Sequence, residues 1–237
     1  MTDIQIKTKE NIIPESEKNI PLSSITFNRS WVFWESYTAK DKKLEYKESN
    51  KKIFEWNDII TFFQFWNSYP GNDLKKIFFN GNRVIYFFKE KYRIIAMNVF
   101  VKGIKPMWED EKNKNGKYLQ LEYQIKIDDI EKFSQISSLY WKKLILNTMG
   151  ENYPGCENVN GIRFVDKTHF ERGKIIMFRI EIWVDKFLEN EKLNLLKEYL
   201  KKEIEGFFFF FVGFCFFIVF FNFVFVFRFF LLFFSRE

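Results

Sequence analysis

Apolar residues recur at the three- and four-residue spacing of an amphipathic helix in three segments of the chain. The first segment spans residues 56–67, where Asn57 or Asp58 is placed to begin the helix. The second spans 128–148. The third spans 189–204, and its apolar stripe consists of Leu193, Leu196, Leu200 and Ile204. The pattern therefore predicts three helices, each with one face available for a core.

Other segments have the composition and two-residue alternation of strands. Residues 119–125 alternate apolar and polar side chains, and residues 31–34, 161–165 and 174–184 are rich in β-branched and aromatic residues. Strand, helix, strand, helix, a strand pair and a helix follow one another along the chain. We therefore predict an α+β fold, in which a curved antiparallel β-sheet is backed by about three helices on its convex face.

Composition and charge narrow the class of protein. The 237 residues suffice for one medium domain with tails, and the net charge of +6 suits an anionic partner such as RNA without requiring one. Cys156 and Cys215 lie far apart and His169 is the only histidine, so we expect no disulfide framework, metal site or histidine-based catalysis. A binding protein without a cofactor is therefore expected rather than an enzyme.

Both ends of the chain differ from residues 25–205, which we assign to the domain. Residues 1–24 are polar and charged, which predicts a mobile N-terminal arm and no secretory signal. Residues 206–237 are rich in phenylalanine, and an apolar run broken only by Gly213 and Asn222 is long enough to cross a bilayer. A membrane segment and a translated intron both remain open for this tail. We favour the intron, because poly-T sequence translates as phenylalanine.

The most distinctive segment is a loop from Gly103 to Gly116 that precedes the strand starting at Lys117. It places Trp108 beside Glu109 in a run of turn-forming and charged residues. A loop tryptophan commonly covers a corner of the core. Alternatively, an exposed ring beside a carboxylate suits a flat cationic ligand, because the ring attracts the cation and the carboxylate accepts its N–H groups.

This segment also resembles a known family signature. The nine residues Pro-Met-Trp-Glu-Asp-Glu-Lys-Asn-Lys at 106–114 precede a glycine, a basic residue, an aromatic residue and an alternating strand. The arrangement is similar to the motif of the translation initiation factor 4E family, which binds the 7-methylguanosine cap of messenger RNA. The resemblance implies that Trp108 and Glu109 hold the cap. It also implies that Tyr46 supplies a second stacking ring and that Trp183 approaches the methyl group.

The resemblance further implies basic residues that bind the phosphates of the cap. Lys117 matches an arginine that opens the strand after the motif, and Arg179 matches the basic residue of a strand that ends in the family's tryptophan. Lys167 takes the place of another phosphate-binding arginine across the hairpin. The loop between these strands is longer than usual, so Lys174 is a further candidate for the same role.

Members of this family also bind a helical peptide from a scaffold factor of the 4G type or from a 4E-binding protein. The implied contact residues are Ile59 and Phe63 on the first helix, and Trp141 and Lys143 on the second. Lys142 and Lys143 stand where the family has a Leu-Glu pair, which reverses the local charge. Two alternatives remain: a cytoplasmic initiation factor of the eIF4F complex with a co-adapted partner, and a cap-binding repressor that does not recruit the usual scaffold.

The chain departs from the family's length in two places. Residues 77–95 are surplus and form either a β-hairpin or translated intron. The last strand of the family's sheet is missing, and the phenylalanine-rich tail stands in its place. A third alternative is therefore a membrane-anchored interaction protein on a decayed cap-binding fold, which predicts no affinity for the cap.

Overall fold

Six strands form one curved antiparallel sheet in the structure, a computed structural model that describes residues 25–39, 49–70, 73–78, 92–126, 130–168 and 175–203. The strands are β1 (Thr26–Ala39), β2 (Asn50–Asp58), β3 (Tyr92–Val101), β4 (Lys117–Lys126), β5 (Val159–Asp166) and β6 (Ile175–Val184). They lie in the order β2-β1-β3-β5-β6-β4. The predicted α+β class and the curved antiparallel sheet are confirmed.

Helices from the described residues pack on one face of this sheet. They are α1 (Ile59–Ser68), α2 (Leu74–Phe78), α3 (Ile130–Met149) and α4 (residues 190–203). A short 3-10 turn, Cys156–Asn158, leads into β5. Buried side chains from these helices and from the facing side of the strands form one large hydrophobic cluster. Burial of this apolar surface is the main favourable term in folding.

The sequence of β6 shows how the two faces of the sheet arise. Successive side chains on a strand point to opposite faces, so one set of alternate residues enters the large cluster under the helices. That set consists of Ile176, Phe178, Ile180, Ile182 and Val184. The intervening residues include Arg179, Glu181 and Trp183. They lie on the opposite face, which carries none of the described helices and is here called the helix-free face. There Trp183 joins a second, smaller cluster with Phe100 and Ile104.

Trp56 lies in β2, which corrects the prediction of a helix over residues 56–67. The residue pairs with Trp31 of β1 in the antiparallel ladder and is 2% exposed. The helix itself begins at Ile59 with Asp58 as its N-cap, which is one of the two residues predicted to begin it. Apolar residues on one side of a helix recur about every 3.6 residues. Trp56 lies three positions before Ile59 and therefore fits this spacing, although its own backbone is extended.

The first two strands are longer than the sequence pattern indicated. β1 extends far beyond residues 31–34, and β2 starts at Asn50 in a largely polar stretch for which no strand was predicted. Each of residues 35–39 pairs with a residue in the first part of β3, with one register shift between Ser36 and Tyr37. Pairing with neighbouring strands satisfies the backbone of these polar residues, which local strand propensity does not reveal.

Both ends of the surplus segment 77–95 belong to regular elements. Ile77 and Phe78 end α2 and are each 1% exposed, and residues 92–95 open β3. Residues 79–91, the middle of this segment, lie outside the described part of the chain.

The N-terminal arm at 1–24 and the tail at 206–237 also lie outside the described residues. Within the part that the structure describes, every helix is too short or too polar to cross a membrane.

Candidate functional site

Internal hydrogen bonds hold the loop that carries Trp108. The side chain of Asn113, which is 1% exposed, donates to the carbonyl oxygens of Lys105 and Met107 at 2.8 Å each. Asp110 accepts a hydrogen bond from the backbone N–H of Lys105 at 2.9 Å. A buried amide with both N–H groups paired rigidifies its surroundings. The charged run is therefore an ordered loop that fixes the backbone position of Trp108.

Gly116 brings the end of this loop against the end of β6. A Cβ atom at this position would lie 2.4 Å from the carbonyl oxygen of Val184, so only glycine permits the approach. The next residue, Lys117, then pairs with Val184 at the start of the β4–β6 ladder. This close contact places the loop tryptophan beside Trp183, the neighbour of Val184 in β6.

Trp108 and Trp183 stack on each other. Their ring centroids are 3.8 Å apart with an interplanar angle of 20°. Trp183 is 1% exposed, whereas Trp108 is half-buried. Phe100 packs edge-on against Trp183 at 5.6 Å, and Tyr118 lies 5.5 Å from Trp108. The helix-free face therefore carries an aromatic platform whose outermost ring is Trp108.

Glu109 follows Trp108 and is exposed to solvent. In the part of the chain that the structure describes, no lysine or arginine forms a salt bridge with this carboxylate. A carboxylate beside an aromatic ring is well placed to accept N–H groups from a ligand that stacks on the ring. Tyr46, the predicted second stacking ring, lies outside the described residues.

A line of polar side chains crosses the helix-free face beside the platform. Asn98, Arg163 and Glu181 occupy facing positions on β3, β5 and β6. Arg163 donates through Nε to Oδ1 of Asn98 at 2.7 Å and through Nη1 to Oε2 of Glu181 at 3.1 Å. Its guanidinium carbon also lies 5.3 Å from the ring centroid of Trp183. The platform is therefore packed against a buried ion pair.

Arg179 extends this line to the edge strand β4. It donates through Nη1 to Oε1 of Glu181 at 3.2 Å and through Nε to Oε1 of Glu122 at 2.7 Å. We call Arg163, Glu181, Arg179 and Glu122 the charged row. Two cations alternate with two carboxylates in it, which compensates charges that are largely removed from water.

The predicted phosphate-binding residues do not all have the same environment. Lys167 is half-buried, and burial together with the nearby positive charge of Arg179 lowers the pKa of its ammonium group. Lys117 is the first residue of β4 and shares a side of the strand with Leu119 and Leu121, which pack under the helices. It donates to Oδ1 of Asn190 in α4 at 3.3 Å. Arg179 already pairs with two carboxylates. Lys174 lies outside the described residues.

The predicted scaffold-contact residues lie on the helical side of the molecule. Phe63 is 36% exposed and Ile59 is half-buried, so both reach the surface of α1. Trp141 is 0% exposed, and its ring is part of the core rather than of a docking surface. Lys143 is exposed and pairs with Glu203 of α4 at 2.5 Å, which offsets its charge within the chain.

Sequence reasoning missed the charged row apart from Arg179, as well as Asn98. A signal was present, because single charged residues interrupt otherwise apolar strands at positions 163, 179 and 181. An ionised side chain that is largely removed from water in an apolar strand needs an oppositely charged partner. A charged residue in such a strand therefore indicates an oppositely charged residue on a neighbouring strand. The sequence does not show which strands are neighbours.

In the described part of the chain, an open antiparallel sheet carries helices on one face and a stacked aromatic platform on the other, which defines an α+β protein. The sequence profile of the family described as Eukaryotic initiation factor 4E matches residues 26–207. The chain therefore belongs to the eukaryotic initiation factor 4E family. The Eukaryotic translation initiation factor 4E of Candida albicans is 26% identical over 180 residues, which cover 75% of this chain and 72% of that protein.

Solved structures of related proteins share the fold. The Ascaris suum eIF4E-3 in complex with the m2,2,7G cap superimposes with a TM-score of 0.53 at 19% identity, covering 76% of this chain and 84% of that one. The C. elegans eIF4E-3 in complex with the 4E-binding protein Mextli and a cap analog has a TM-score of 0.52 at 16% identity, with coverages of 76% and 86%. These similarities confirm the architecture.

Proposed function

We propose that the chain binds the 7-methylguanosine cap of messenger RNA in translation initiation, as a cytoplasmic binding protein rather than an enzyme. The observation that carries the proposal is the pair formed by half-buried Trp108 and exposed Glu109 on a loop held by buried hydrogen bonds. Membership of the initiation factor 4E family supports it, as does the cap-bound structure of the Ascaris suum relative.

In this proposal the base is recognised by charge and by its hydrogen-bonding edge. Trp183 covers one face of Trp108 and is itself buried, so the methylated base stacks on the opposite face of Trp108. Trp183, predicted from the resemblance to approach the methyl group, then lies behind Trp108 and supports it. Methylation makes the base cationic, and a cation gains energy over an indole that a neutral guanine does not. The carboxylate of Glu109 accepts two N–H groups of the guanine edge. Tyr46 is proposed as the ring on the other side of the base.

The phosphates of the cap are assigned to basic residues of β4, β6 and the segment that follows β5. Lys117 at the start of β4, and Lys167 and Arg179 on the helix-free face, are the proposed partners, with Lys174 as a further candidate. A guanidinium offers paired N–H groups that match phosphate oxygens, whereas a lysine contributes a more flexible point charge. The half-buried position of Lys167 strengthens its electrostatic field relative to a fully solvated lysine.

For the protein partner, we propose a helical segment of a 4G-type scaffold or a 4E-binding protein on the helical side. The C. elegans relative is seen with the 4E-binding protein Mextli. Exposed Phe63 and half-buried Ile59 on α1 provide the apolar contacts, and Lys143 lies on neighbouring α3. Trp141 supports this surface from the core.

A cap-binding repressor is the second candidate, favoured by the positive charges of Lys142 and Lys143. A scaffold peptide that presents an arginine here meets like charge, although Glu203 offsets one of the lysines. We expect such a peptide to bind the variant Lys143→Glu more tightly than the unmodified chain in a calorimetric titration. Tight binding to the unmodified chain would contradict the repressor hypothesis.

Cap binding is tested by fluorescence titration of the full-length chain with 7-methyl-GTP, with GTP as the matched ligand that lacks the methyl group. We expect saturable quenching of tryptophan emission by the methylated nucleotide and much weaker quenching by GTP, because neutral guanine lacks the cation–π contribution. A folded chain that shows no quenching would contradict the proposal and would favour an interaction protein on a decayed cap-binding fold.

A further inference from the structure

Arg179 is held between two carboxylates before any ligand arrives. Glu122 is its direct cross-strand partner on β4, with 2.7 Å between Nε and Oε1. Glu181, two residues along β6, accepts from Nη1 at 3.2 Å. Charge-assisted bonds of this kind are among the stronger hydrogen bonds in proteins. The guanidinium proposed to bind phosphate is therefore already engaged.

The two carboxylates differ in how firmly they are fixed. The side chain of Glu181 is 7% exposed and accepts from Arg163, Arg179 and the indole N–H of Trp183. Glu122 has a side chain that is 22% exposed, and it lies on an outer strand of the described sheet. A partly exposed ion pair is screened by water and is weaker than a buried one. Glu122 is therefore the carboxylate that an incoming anion can displace.

We propose that Glu122 competes with the phosphates of the cap for Arg179 and so limits the affinity that the phosphate chain adds. The inference rests on the proposed cap-binding function. A phosphate that approaches Arg179 has to replace the carboxylate and then remains close to its negative charge. The negative charges of the phosphate and of the Glu122 carboxylate then repel each other, which opposes binding. Lys167 and Arg163, the other cations near Arg179, moderate this repulsion but do not remove the competitor.

The test compares three ligands with the same base: 7-methylguanosine, 7-methyl-GMP and 7-methyl-GTP. Each is titrated into the full-length chain and into the variant Glu122→Gln, which keeps the side-chain shape and removes the charge. We expect the nucleoside to bind both proteins equally. We expect 7-methyl-GTP to bind the variant about three- to tenfold more tightly, with a smaller gain for 7-methyl-GMP, since the effect acts only on phosphate.

The matched control is Glu151→Gln. Glu151 pairs with Arg29, and the two side chains are each 22% exposed, close to the 20% and 22% of Arg179 and Glu122. The variant Glu151→Gln removes one negative charge from a similar ion pair in the turn after α3. We expect no gain in its affinity for 7-methyl-GTP. The double variant Glu122→Gln with Arg179→Gln should lose the gain, because the competition then has no target.

The outcomes separate the two proposals. A gain for 7-methyl-GTP in Glu122→Gln, absent for the nucleoside and in Glu151→Gln, supports competition by Glu122. Equal or weaker 7-methyl-GTP binding by folded Glu122→Gln, beside a wild-type chain that binds 7-methyl-GTP, overturns the inference and leaves the cap-binding proposal standing. A folded wild-type chain that binds none of the three ligands overturns both.

Discussion

Trp183 donates its indole N–H to Oε2 of Glu181 at 2.9 Å, and both side chains are buried. The same carboxylate accepts from the guanidinium groups of Arg163 and Arg179. One buried acid thus joins both arginines of the charged row and sets the orientation of the ring on which Trp108 stacks. The aromatic platform and the charged row are therefore one structural unit.

Replacing Glu181 with alanine should strongly destabilise the fold. The change leaves the indole of Trp183 without its acceptor. It also leaves the guanidinium of Arg163, which is 12% exposed, without its carboxylate partner and with only Asn98 accepting from it. Loss of one partner from a buried ion pair costs about 3–5 kcal/mol. Urea denaturation followed by circular dichroism measures the free energy of unfolding.

The control for this experiment is Glu111→Ala, whose side chain is 85% exposed. It should change the free energy of unfolding by less than about 0.5 kcal/mol. If both variants lose equally little stability, the charged row does not fix the helix-free face.

Gly161 of β5 has no room for a side chain. A Cβ atom there would lie 2.3 Å from the ring of Phe100, which is 0% exposed and packs edge-on against Trp183. Overpacking of a filled core typically costs about 1–3 kcal/mol. We therefore expect Gly161→Ala to lower the free energy of unfolding and to alter the near-ultraviolet circular dichroism of the tryptophans.

A double variant isolates this cause. Phe100→Leu opens space at the point of contact, so Gly161→Ala should cost less in that background than alone. The free energies of unfolding of the two single variants and the double variant form a thermodynamic cycle. Strict additivity would show that the Cβ clash is not the source of the loss.

Asp58 stabilises the start of α1 in a pH-dependent way. Its carboxylate accepts from the backbone N–H of Thr61 at 2.8 Å and from the Thr61 hydroxyl at 2.7 Å, and these bonds lower its pKa. A depressed pKa in the folded state gives stability that is complete above the unfolded pKa of about 3.9 and is lost as pH falls through the folded pKa.

The variant Asp58→Asn keeps a capping oxygen but removes the ionisable group. We expect it to be less stable than wild type at pH 6, with the difference shrinking as the pH is lowered below about 4. Denaturant unfolding at several pH values measures both proteins. A difference that stays constant across this range would exclude the charge of Asp58 as its cause.

The fold could be predicted from patterns that are local. Residues 119–125 alternate and residues 128–148 repeat at helical spacing, and both became elements close to those bounds, β4 and α3. Trp56 was assigned to a helix because it lies three positions before the helix start at Ile59, a spacing that matches the helical repeat. Its extended backbone depends on Trp31, a cross-strand partner that is distant in sequence. Local periodicity carries no information about such pairing.

The candidate site also combines residues that are adjacent in sequence with residues that only the fold brings together. Trp108 and Glu109 are adjacent in a recognisable segment, so both could be predicted as site residues from the sequence alone. The stacking of Trp108 on Trp183 depends on the close approach of Gly116 to Val184, which only the folded sheet shows. The carboxylate partners of Arg179 likewise depend on strand order, so the sequence suggested a free phosphate-binding cation where the structure has an ion-paired one.

Glu109 provides the most direct test of base recognition. The variant Glu109→Ala should weaken binding of 7-methyl-GTP by about 2 kcal/mol or more, because charge-assisted hydrogen bonds to the guanine edge are lost.

Glu111→Ala, two residues along the same loop and also exposed, removes the same charge without touching the proposed base position. It should change the affinity much less, which separates a specific contact from a general effect of charge on an anionic ligand. Both variants should unfold at the same denaturant concentration as wild type. Equal affinities of the two variants for 7-methyl-GTP would remove Glu109 from the site and leave stacking on Trp108 as the main source of recognition.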